Sequence, residues 1–351
     1  MLFGKKNSLI GIDIGSRALK AVKLLNTKNG YFLQNVGFLN IPAGLIEDGI
    51  IRDPVEISEL IRRLMKIAHI KERNVAIAVA GTSVIIKKIT LQNIPKDKFH
   101  ETITFEAEQY IPFDINDVDL DYEVLGEDEE NPGLIKVLIV AVKKDFVSDY
   151  VSVVQMAGLN PCVVDVDAFA LQNIFKINYD SKEEKIALID IGAWKTSLSI
   201  MKNNSVVFMR DVTLGCLQID EEIASAAGCT QEEAELIKIS GKSDKISDEQ
   251  LKQIVSSVCI GWCLEIKRAF DFHYSSAPED SVSKILISGG GANINEFSGL
   301  LASEVSVNVE IINPFINVEI ADGVDSSYLR QIAPQLAICL GLSLRMINDK
   351  N

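Results

Sequence analysis

Along residues 9–24 (LIGIDIGSRALKAVKL) an apolar run ends at Asp13, breaks at Gly15 and Ser16, and resumes as alternating apolar and polar positions from Leu19 to Leu24. This pattern predicts strand, tight turn and strand. The device returns at Leu188-Ile189-Asp190-Ile191-Gly192-Ala193-Trp194-Lys195-Thr196, with strands over 196–201 and 205–212 completing a meander. Asp13 and Asp190 stand about half of the 351-residue chain apart, so the repeat predicts two similar lobes.

The stretches around these turns read as follows. A third strand covers 31–40 and a loop 41–53. A helix opens at Asp53-Pro54, where Asp caps, Pro suits the first turn and Glu56 meets the positive dipole end. Strands at 74–80 and 83–91, a helix at 96–110, an acidic extended stretch at 114–125, a strand at 134–142 and a helix at 144–157 make a small insert in the first lobe. Its charged turn, Glu127-Asp128-Glu129-Glu130, reads as a solvated tip. A strand at 160–166 leads into a helix at 167–175 that crosses toward the second lobe. Helices follow at 214–227, ended by Gly228, and from Thr230 to Ile239, where Glu233 completes a capping box. The longest helix spans 249–274. A strand at 284–288 runs into Gly289-Gly290-Gly291 and a helix at 292–303, with a strand at 307–312 and a loop-rich stretch at 314–327. The closing apolar helix, 329–347, reads as buried packing, since Arg330, Arg345 and Lys350 are too few cations for a membrane foot.

Composition narrows the partners. A net charge of −14 repels nucleic acid and anionic membranes, and no basic stripe offsets it. No apolar run approaches the ~20 residues of a membrane span. The six cysteines are scattered; Cys259 and Cys263, at helical spacing, read as reduced core thiols, and with three histidines zinc chemistry is not expected. Reduced thiols without a signal peptide predict the cytoplasm.

The turns carry the candidate chemistry. Gly15 opens the backbone to close approach, Ser16 and neighbouring N–H groups can donate to phosphate oxygens, and Lys20 adds positive charge. Asp13 suits a phosphate only across a hydrated Mg²⁺. One such turn is equally an ordinary hairpin bend; two of them favour a nucleotide cleft. Ser288-Gly289-Gly290-Gly291 can let adenosine or phosphate lie on bare backbone, or be a plain strand-to-helix turn. Glu235 and Lys238, three apart on one helix, can hold ribose and adenine, or form a surface ion pair worth ~0.3–0.5 kcal/mol. Asp165 and Asp167 alternate on a strand, so one faces the cleft, where it can order a water; for Asp167 the alternative is a helix cap.

These residues resemble a family. Asp13-x-Gly15-Ser16 with Lys20, Asp190-x-Gly192-x-x-x-Thr196 and Ser288-Gly289-Gly290-Gly291 resemble the phosphate-1, phosphate-2 and adenosine motifs of the actin–Hsp70–FtsA ATPase superfamily. More narrowly, Gly11-Ile-Asp-Ile-Gly-Ser16, Ser83-Val-Ile-Ile-Lys-Lys88, Phe105-Glu-Ala-Glu-Gln-Tyr-Ile-Pro-Phe113 and Asp165-Val-Asp-Ala-Phe-Ala-Leu171 resemble the PilM family of type IV pilus assembly proteins, from about Leu9 to about Asn348. The resemblance implies an α/β actin-like ATPase fold: two ribonuclease-H-like lobes around a nucleotide cleft, with an FtsA-like 1C subdomain. The corresponding division is first lobe 1–73, 1C-like subdomain 74–160, inter-lobe connection 161–184, second lobe 185–330 and closing helix 331–351. ATP and Mg²⁺ are the implied cofactors. Asp13 and Asp190 would flank the metal through water. Gly15, Ser16, Arg17, Lys20, Gly192, Lys195 and Thr196 would hold phosphates. Glu235, Lys238, Gly289, Gly290 and Gly291 would line the nucleoside, and Asp167 or Asp165 would position water.

The implied partner is the short cytoplasmic N-terminal peptide of the inner-membrane protein PilN, lying in a groove beside 1C and recruiting the chain to the inner face of the membrane with other pilus assembly proteins. Two departures stand out. Trp194-Lys195 fills a turn where relatives carry smaller residues, so Lys195 either reaches phosphate or is solvated. Asp167-Ala168-Phe169-Ala170 replaces the Glu-Pro-x-Ala of related ATPases, and the shorter carboxylate implies slow or absent hydrolysis. The expected function is an ATP-binding pilus adaptor. The alternatives are a sugar or small-molecule kinase, for which Gly15-Ser16-Arg17 lacks the usual Gly-Gly-Thr, and an FtsA-like filament former, for which the end of the chain lacks a basic amphipathic tail.

Overall fold

A computed structural model describes residues 9–28, 30–95, 98–128, 131–179, 184–276 and 281–347. Lys96, the expected start of the second helix, Glu129 and Glu130 of the charged turn, and Lys350 lie outside these. Val79–Ser152 forms one compact unit and the rest of the chain another.

In the larger unit the chain begins with β1 (Ile10–Ile14), β2 (Ala18–Thr27) and β3 (Gly30–Asn40), an antiparallel meander. The short hairpin β4 (Ile46–Glu47) and β5 (Ile50–Ile51) leads to α1 (Pro54–Ile67). Asp53 caps α1 as the sequence predicts, its carboxylate accepting from the Glu56 N–H at 3.0 Å. Next comes β6 (Asn74–Val79), parallel to β1.

The smaller unit holds β7 (Val84–Gln92), α2 (Phe99–Ala107), β8 (Val118–Glu127) and β9 (Leu134–Lys143), with the strands ordered β7-β9-β8 and antiparallel. α3 (Lys144–Met156) leads out of it. Ile89, Ile103, Ala107, Ile111, Val137 and Ile139 form its core. The unit begins at Val79, the last residue of β6, while the rest of that strand is buried inside the six-stranded sheet of the larger unit. Asp128, expected on a solvated tip, is instead buried, 3.2 Å from Lys136.

The larger unit resumes with β10 (Asn160–Val166) and α4 (Asp167–Asn178). Then β11 (Ile186–Ile191), β12 (Thr196–Lys202) and β13 (Ser205–Val212) repeat the meander. α5 (Leu217–Ala227) ends on left-handed Gly228, and α6 (Gln231–Ser240) opens on the Thr230–Glu233 capping box. α7 (Asp248–Ser276), β14 (Lys284–Ser288), α8 (Phe297–Val305), β15 (Asn308–Ile311), β16 (Val318–Ile320), α9 (Ser326–Ile332) and α10 (Ala337–Ser343) complete it.

Two sheets result, ordered β10-β6-β1-β2-β3-β16 and β13-β12-β11-β14-β15. Each is a three-stranded meander whose first strand pairs in parallel with a later strand, β6 for β1 and β14 for β11. The repeat read from the two acidic turns is therefore a repeat of whole sheets. The expected closing helix is broken: α9 gives way to a 3₁₀ turn at Ala333–Leu336, then α10. Pro334 is the cause, since it lacks an N–H and its ring crowds the preceding turn. All seven residues of α10 are buried. α10 approaches so closely that a Cβ on Gly11 would lie 2.1 Å from the Cys339 carbonyl oxygen, and one on Gly341 1.7 Å from that of Ala170. The expected helix at 292–303 starts later, as α8, because Glu296 adopts φ +68° and interrupts it.

Candidate functional site

In the first turn the β1–β2 register sets Asp13 opposite Lys20, and Lys20 Nζ lies 3.0 Å from Asp13 Oδ2. The Gly15 N–H donates to the Ala18 carbonyl at 3.2 Å and closes the turn. A Cβ on Gly15 would meet the Ala18 oxygen at 3.1 Å and Lys20 Nζ at 3.2 Å, so the turn has little room beyond glycine. Ser16 is buried. Arg17 reaches α6 and forms an ion pair with Glu235. Its Nη2 is used there, while Nε and Nη1 are buried with no hydrogen-bond partner.

The second turn is built more rigidly. Gly192 N–H donates to the Lys195 carbonyl at 2.9 Å. The Cys216 and Leu217 N–H groups donate to the Gly192 and Ala193 carbonyls at 3.0 and 2.8 Å. Gly215 makes this possible, since a Cβ there would lie 2.4 Å from the Ala193 oxygen. The Thr196 hydroxyl, expected to meet phosphate, donates to the Leu214 carbonyl at 3.1 Å and braces the turn instead. Asp190 accepts from the Ser288 hydroxyl at 2.7 Å. Lys195 neither reaches outward nor is solvated. Its buried ammonium lies 2.7 Å from Asp167 Oδ2 and 3.1 Å from Asp211 Oδ2, and also donates to the Ser197 hydroxyl. The reason is pairing: with two carboxylates brought within reach by α4 and β13, a buried ammonium is far better paired than alone.

Electrostatics tie the two turns together. Burial pushes the Asp190 carboxyl up, the Asp13 charge pushes it further, and the Ser288 bond and Lys195 oppose the rise. The acidic ends of β1 and β11 thus lie within each other's electrostatic reach. Asp167 is raised to about 6, first by burial against the opposing pull of Lys195, then by Asp211 and Asp190. Lys195 is pushed up despite its burial, because Asp167 and Asp211 flank it. Among the described residues no group of three or more His, Cys, Asp or Glu side chains is placed to hold a metal ion directly, while the unpartnered edge of Arg17 suits an anion.

The other expected residues are placed as follows. Asp167 is the first residue of α4, with Val166 in the cap position; its Oδ1 accepts from the Ala168 N–H at 2.6 Å. Asp165 points elsewhere: Oδ1 accepts from Val166 N–H at 2.8 Å and Oδ2 lies 3.6 Å from Arg345 Nε. Glu235 and Lys238 do not pair with each other. Glu235 takes Arg17, and Lys238 reaches buried Asp220 at 2.7 Å. Gly289 has φ +80°, and a Cβ there would lie 2.4 Å from the Ile191 oxygen; one on Gly291 would lie 2.3 Å from Ile191 Cγ2. Both therefore serve β11 packing. Gly290 would meet Gln335 Nε2 at 3.6 Å, ordinary contact, and is the one of the three with room over its backbone. Cys259 and Cys263 are buried on α7, with thiols pushed up to about 12 and about 11 by burial.

Sequence reasoning missed Asp211, Asp220, Ser197 and Gly215. Asp211 and Ser197 sit on neighbouring strands in register, a signal available once the meander is drawn. Gly215 carries no local signature, because its need comes from a turn some twenty residues earlier.

In the smaller unit the segment 105–113 divides between core and surface. Ala107 and Ile111 are buried, whereas Phe105 is 67 % and Tyr110 44 % exposed. Lys87 sits over the Tyr110 ring at 5.6 Å and Lys143 over the Phe113 ring at 4.2 Å. The unit thus presents aromatic rings beside cations.

A family profile described as type IV pilus assembly protein PilM matches residues 11–347. The chain belongs to the PilM family. Among solved structures, the PilM-PilN type IV pilus biogenesis complex matches with a TM-score of 0.87 and 26 % identity, over 97 % of this chain and 99 % of that one. Ethanolamine utilization protein EutJ from Carboxydothermus hydrogenoformans matches at TM-score 0.58 and 16 % identity, over 96 % and 89 % of the two chains. MreB 5 of Spiroplasma citri, bound to AMPPNP, matches at 0.50 and 13 %, over 95 % and 94 %. These last two likenesses show the fold: this PilM-family member has the actin-like ATPase architecture. Among the described residues no helix is long and apolar enough to cross a membrane.

Proposed function

We propose that this PilM-family chain is an ATP-binding adaptor of type IV pilus assembly at the cytoplasmic face of the inner membrane. Its Val79–Ser152 unit takes the part of the 1C subdomain and grips the short cytoplasmic N-terminal peptide of a PilN-like protein, and nucleotide in the cleft tunes that grip. The observation that carries the adaptor reading is the likeness, over nearly the whole of both chains, to a PilM solved with PilN. The exposed Phe105 and Tyr110 support a peptide site on this unit, since aromatic anchors dominate such contacts.

The nucleotide part rests on the two turns. Asp13 and Asp190 would hold Mg²⁺ through its waters. Gly15, Ser16, Lys20 and Gly192 would meet phosphate, and the open Nε and Nη1 of Arg17 would complete that contact. Glu235, Lys238 and Gly290 would line the nucleoside. The MreB neighbour solved with AMPPNP supports the class of ligand. When bound, Mg-ATP supplies a divalent charge and a run of phosphates able to tie the two turns together. Lys20 already neutralises Asp13 at 3.0 Å and would have to share it, and Arg17 holds Glu235 on α6, so occupancy and lobe position are linked through named side chains.

A fluorescently labelled peptide from the N-terminus of the PilN of the same pilus system tests the proposal. It should bind the purified chain, bind several-fold differently with Mg-ATP present, and weaken about tenfold or more on Tyr110→Ala or Phe105→Ala. A peptide that fails to bind with and without nucleotide would contradict the adaptor reading.

A further inference from the structure

We propose that the open face of the three-stranded sheet in the Val79–Ser152 unit is where two copies of this chain pair, strands aligned, with the β7 edge of each copy over the β8 edge of the other. The proposal stands apart from the nucleotide and peptide readings above. α2 covers one side of this sheet. Ile135, Val137 and Ile139 of β9 point to that side and are buried with Ile103 and Ala107 of the helix. Leu138 and Val140 lie between them on the strand, so they point the other way, and they stay half-buried outside that core.

The register fixes what surrounds them. Ile86 of β7 and Asp121 of β8 flank Val140, and Lys88 of β7 and Glu123 of β8 flank Leu138. The face is therefore apolar along its middle, basic at Lys88 on one edge, and acidic at Asp119, Asp121 and Glu123 on the other. All four charged residues are exposed, and among the described residues none of them forms an ion pair. Burial and the neighbouring Lys136 push the Lys88 ammonium down, with Asp128 opposing. Lys136 already has Asp128 at 3.2 Å. Lys88 has no carboxylate of its own, since Glu123 stands two strands away, about 10 Å, across Leu138.

This distribution is self-complementary in one arrangement. A two-fold axis along β9 lays β7 of one copy over β8 of the other. Each Lys88 then meets Glu123 of the other copy, and Leu138 and Val140 pack on their counterparts. An axis across the strands would stack β8 on β8, three carboxylates on three, and edge-to-edge pairing of β8 would also bring like charges together. Three strands about 4.8 Å apart and about nine residues long offer on the order of 400 Å² per copy, so the contact is weak and concentration-dependent.

Sedimentation equilibrium of the full chain tests the proposal. Wild type should form a dimer with a dissociation constant on the order of 100 µM or tighter. Lys88→Glu or Glu123→Lys sets like charges against each other at both pairs and should weaken the dimer about tenfold or more. Mixing the two variants, or placing both changes in one chain, makes every pair opposite again and should restore it. The substituted side chains are exposed, so circular dichroism should show the fold unchanged in each variant. Wild type that stays monomeric up to about 1 mM would overturn the proposal. So would a dimer indifferent to both reversals, and so would reversals that weaken the dimer without recovery on mixing. The labelled PilN peptide should bind dilute wild type and Glu123→Lys equally; loss of binding in the variant would give this face to the peptide instead of a second copy.

Discussion

The two acidic turns share a pattern and differ in how their charges are satisfied. In the first, the aspartate is matched by a lysine across its own hairpin, and the turn closes on a single backbone bond between Gly15 and Ala18. In the second, the aspartate relies on a serine from β14, while the lysine of the turn is turned away to Asp167 and Asp211. The first turn keeps a lysine paired across its own hairpin and an arginine with two unpartnered nitrogens. The second is a fixed piece of backbone whose polar groups are spent on one another. The same strand–turn–strand therefore serves two tasks. One turn is closed by a single backbone bond, and the other is clamped by the segment that follows β13.

Substitution of the glycines should break this comparison most visibly. Gly215→Ala would drive a Cβ to 2.4 Å from a backbone oxygen and should destabilise the protein by about 3 kcal/mol. Gly15→Ala meets Lys20 Nζ at 3.2 Å, a side chain that can move, and a backbone oxygen at 3.1 Å; it should cost about 1 kcal/mol. Equal losses in denaturant melts would mean that the turns are equally rigid.

The pH dependence sharpens the comparison next. Asp190 and Asp167 are both raised, so the folded state binds protons more readily than the unfolded chain. Their contribution to stability is greatest below the ordinary carboxyl range and falls as pH rises, through about 6 for Asp167. Asp190→Asn should therefore stabilise the nucleotide-free protein relative to wild type at neutral pH, and this advantage should shrink on acidification. An advantage that grows in acid would reverse the sign assigned to burial. On the proposed function the same variant should also weaken Mg-ATP binding, since it removes a charge proposed to face the metal's waters.

The smallest expected effect is at the link between lobes. Arg17→Gln leaves Glu235 half-buried and without its partner, and should lower stability by about 1 kcal/mol. It should also weaken Mg-ATP binding, whereas a merely structural pair would leave binding intact.

Much of this was legible in the chain itself. Alternation and turn residues locate both meanders, and the Asp53 and Thr230 caps are made by the predicted side chains. Both Asp-x-Gly bends form where the pattern puts them, and the proposed nucleotide site rests on them. What stayed hidden depends on contacts distant in sequence. Nothing near Lys195 announces that Asp167 and Asp211 will surround it, and nothing near Gly289 and Gly291 announces that Ile191 fills the space beside them. β16 escapes because three residues are too few to register an alternation, and the β6 boundary because a strand buried on both faces looks alike in either unit.

The central claim is that both turns hold one Mg-nucleotide, and titration calorimetry of Mg-ATP into wild type, Asp13→Ala and Asp190→Ala tests it most directly. The account predicts one site per chain in wild type, with affinity falling about 100-fold in each variant while the fold, followed by circular dichroism, persists. Unchanged affinity in both variants would contradict it.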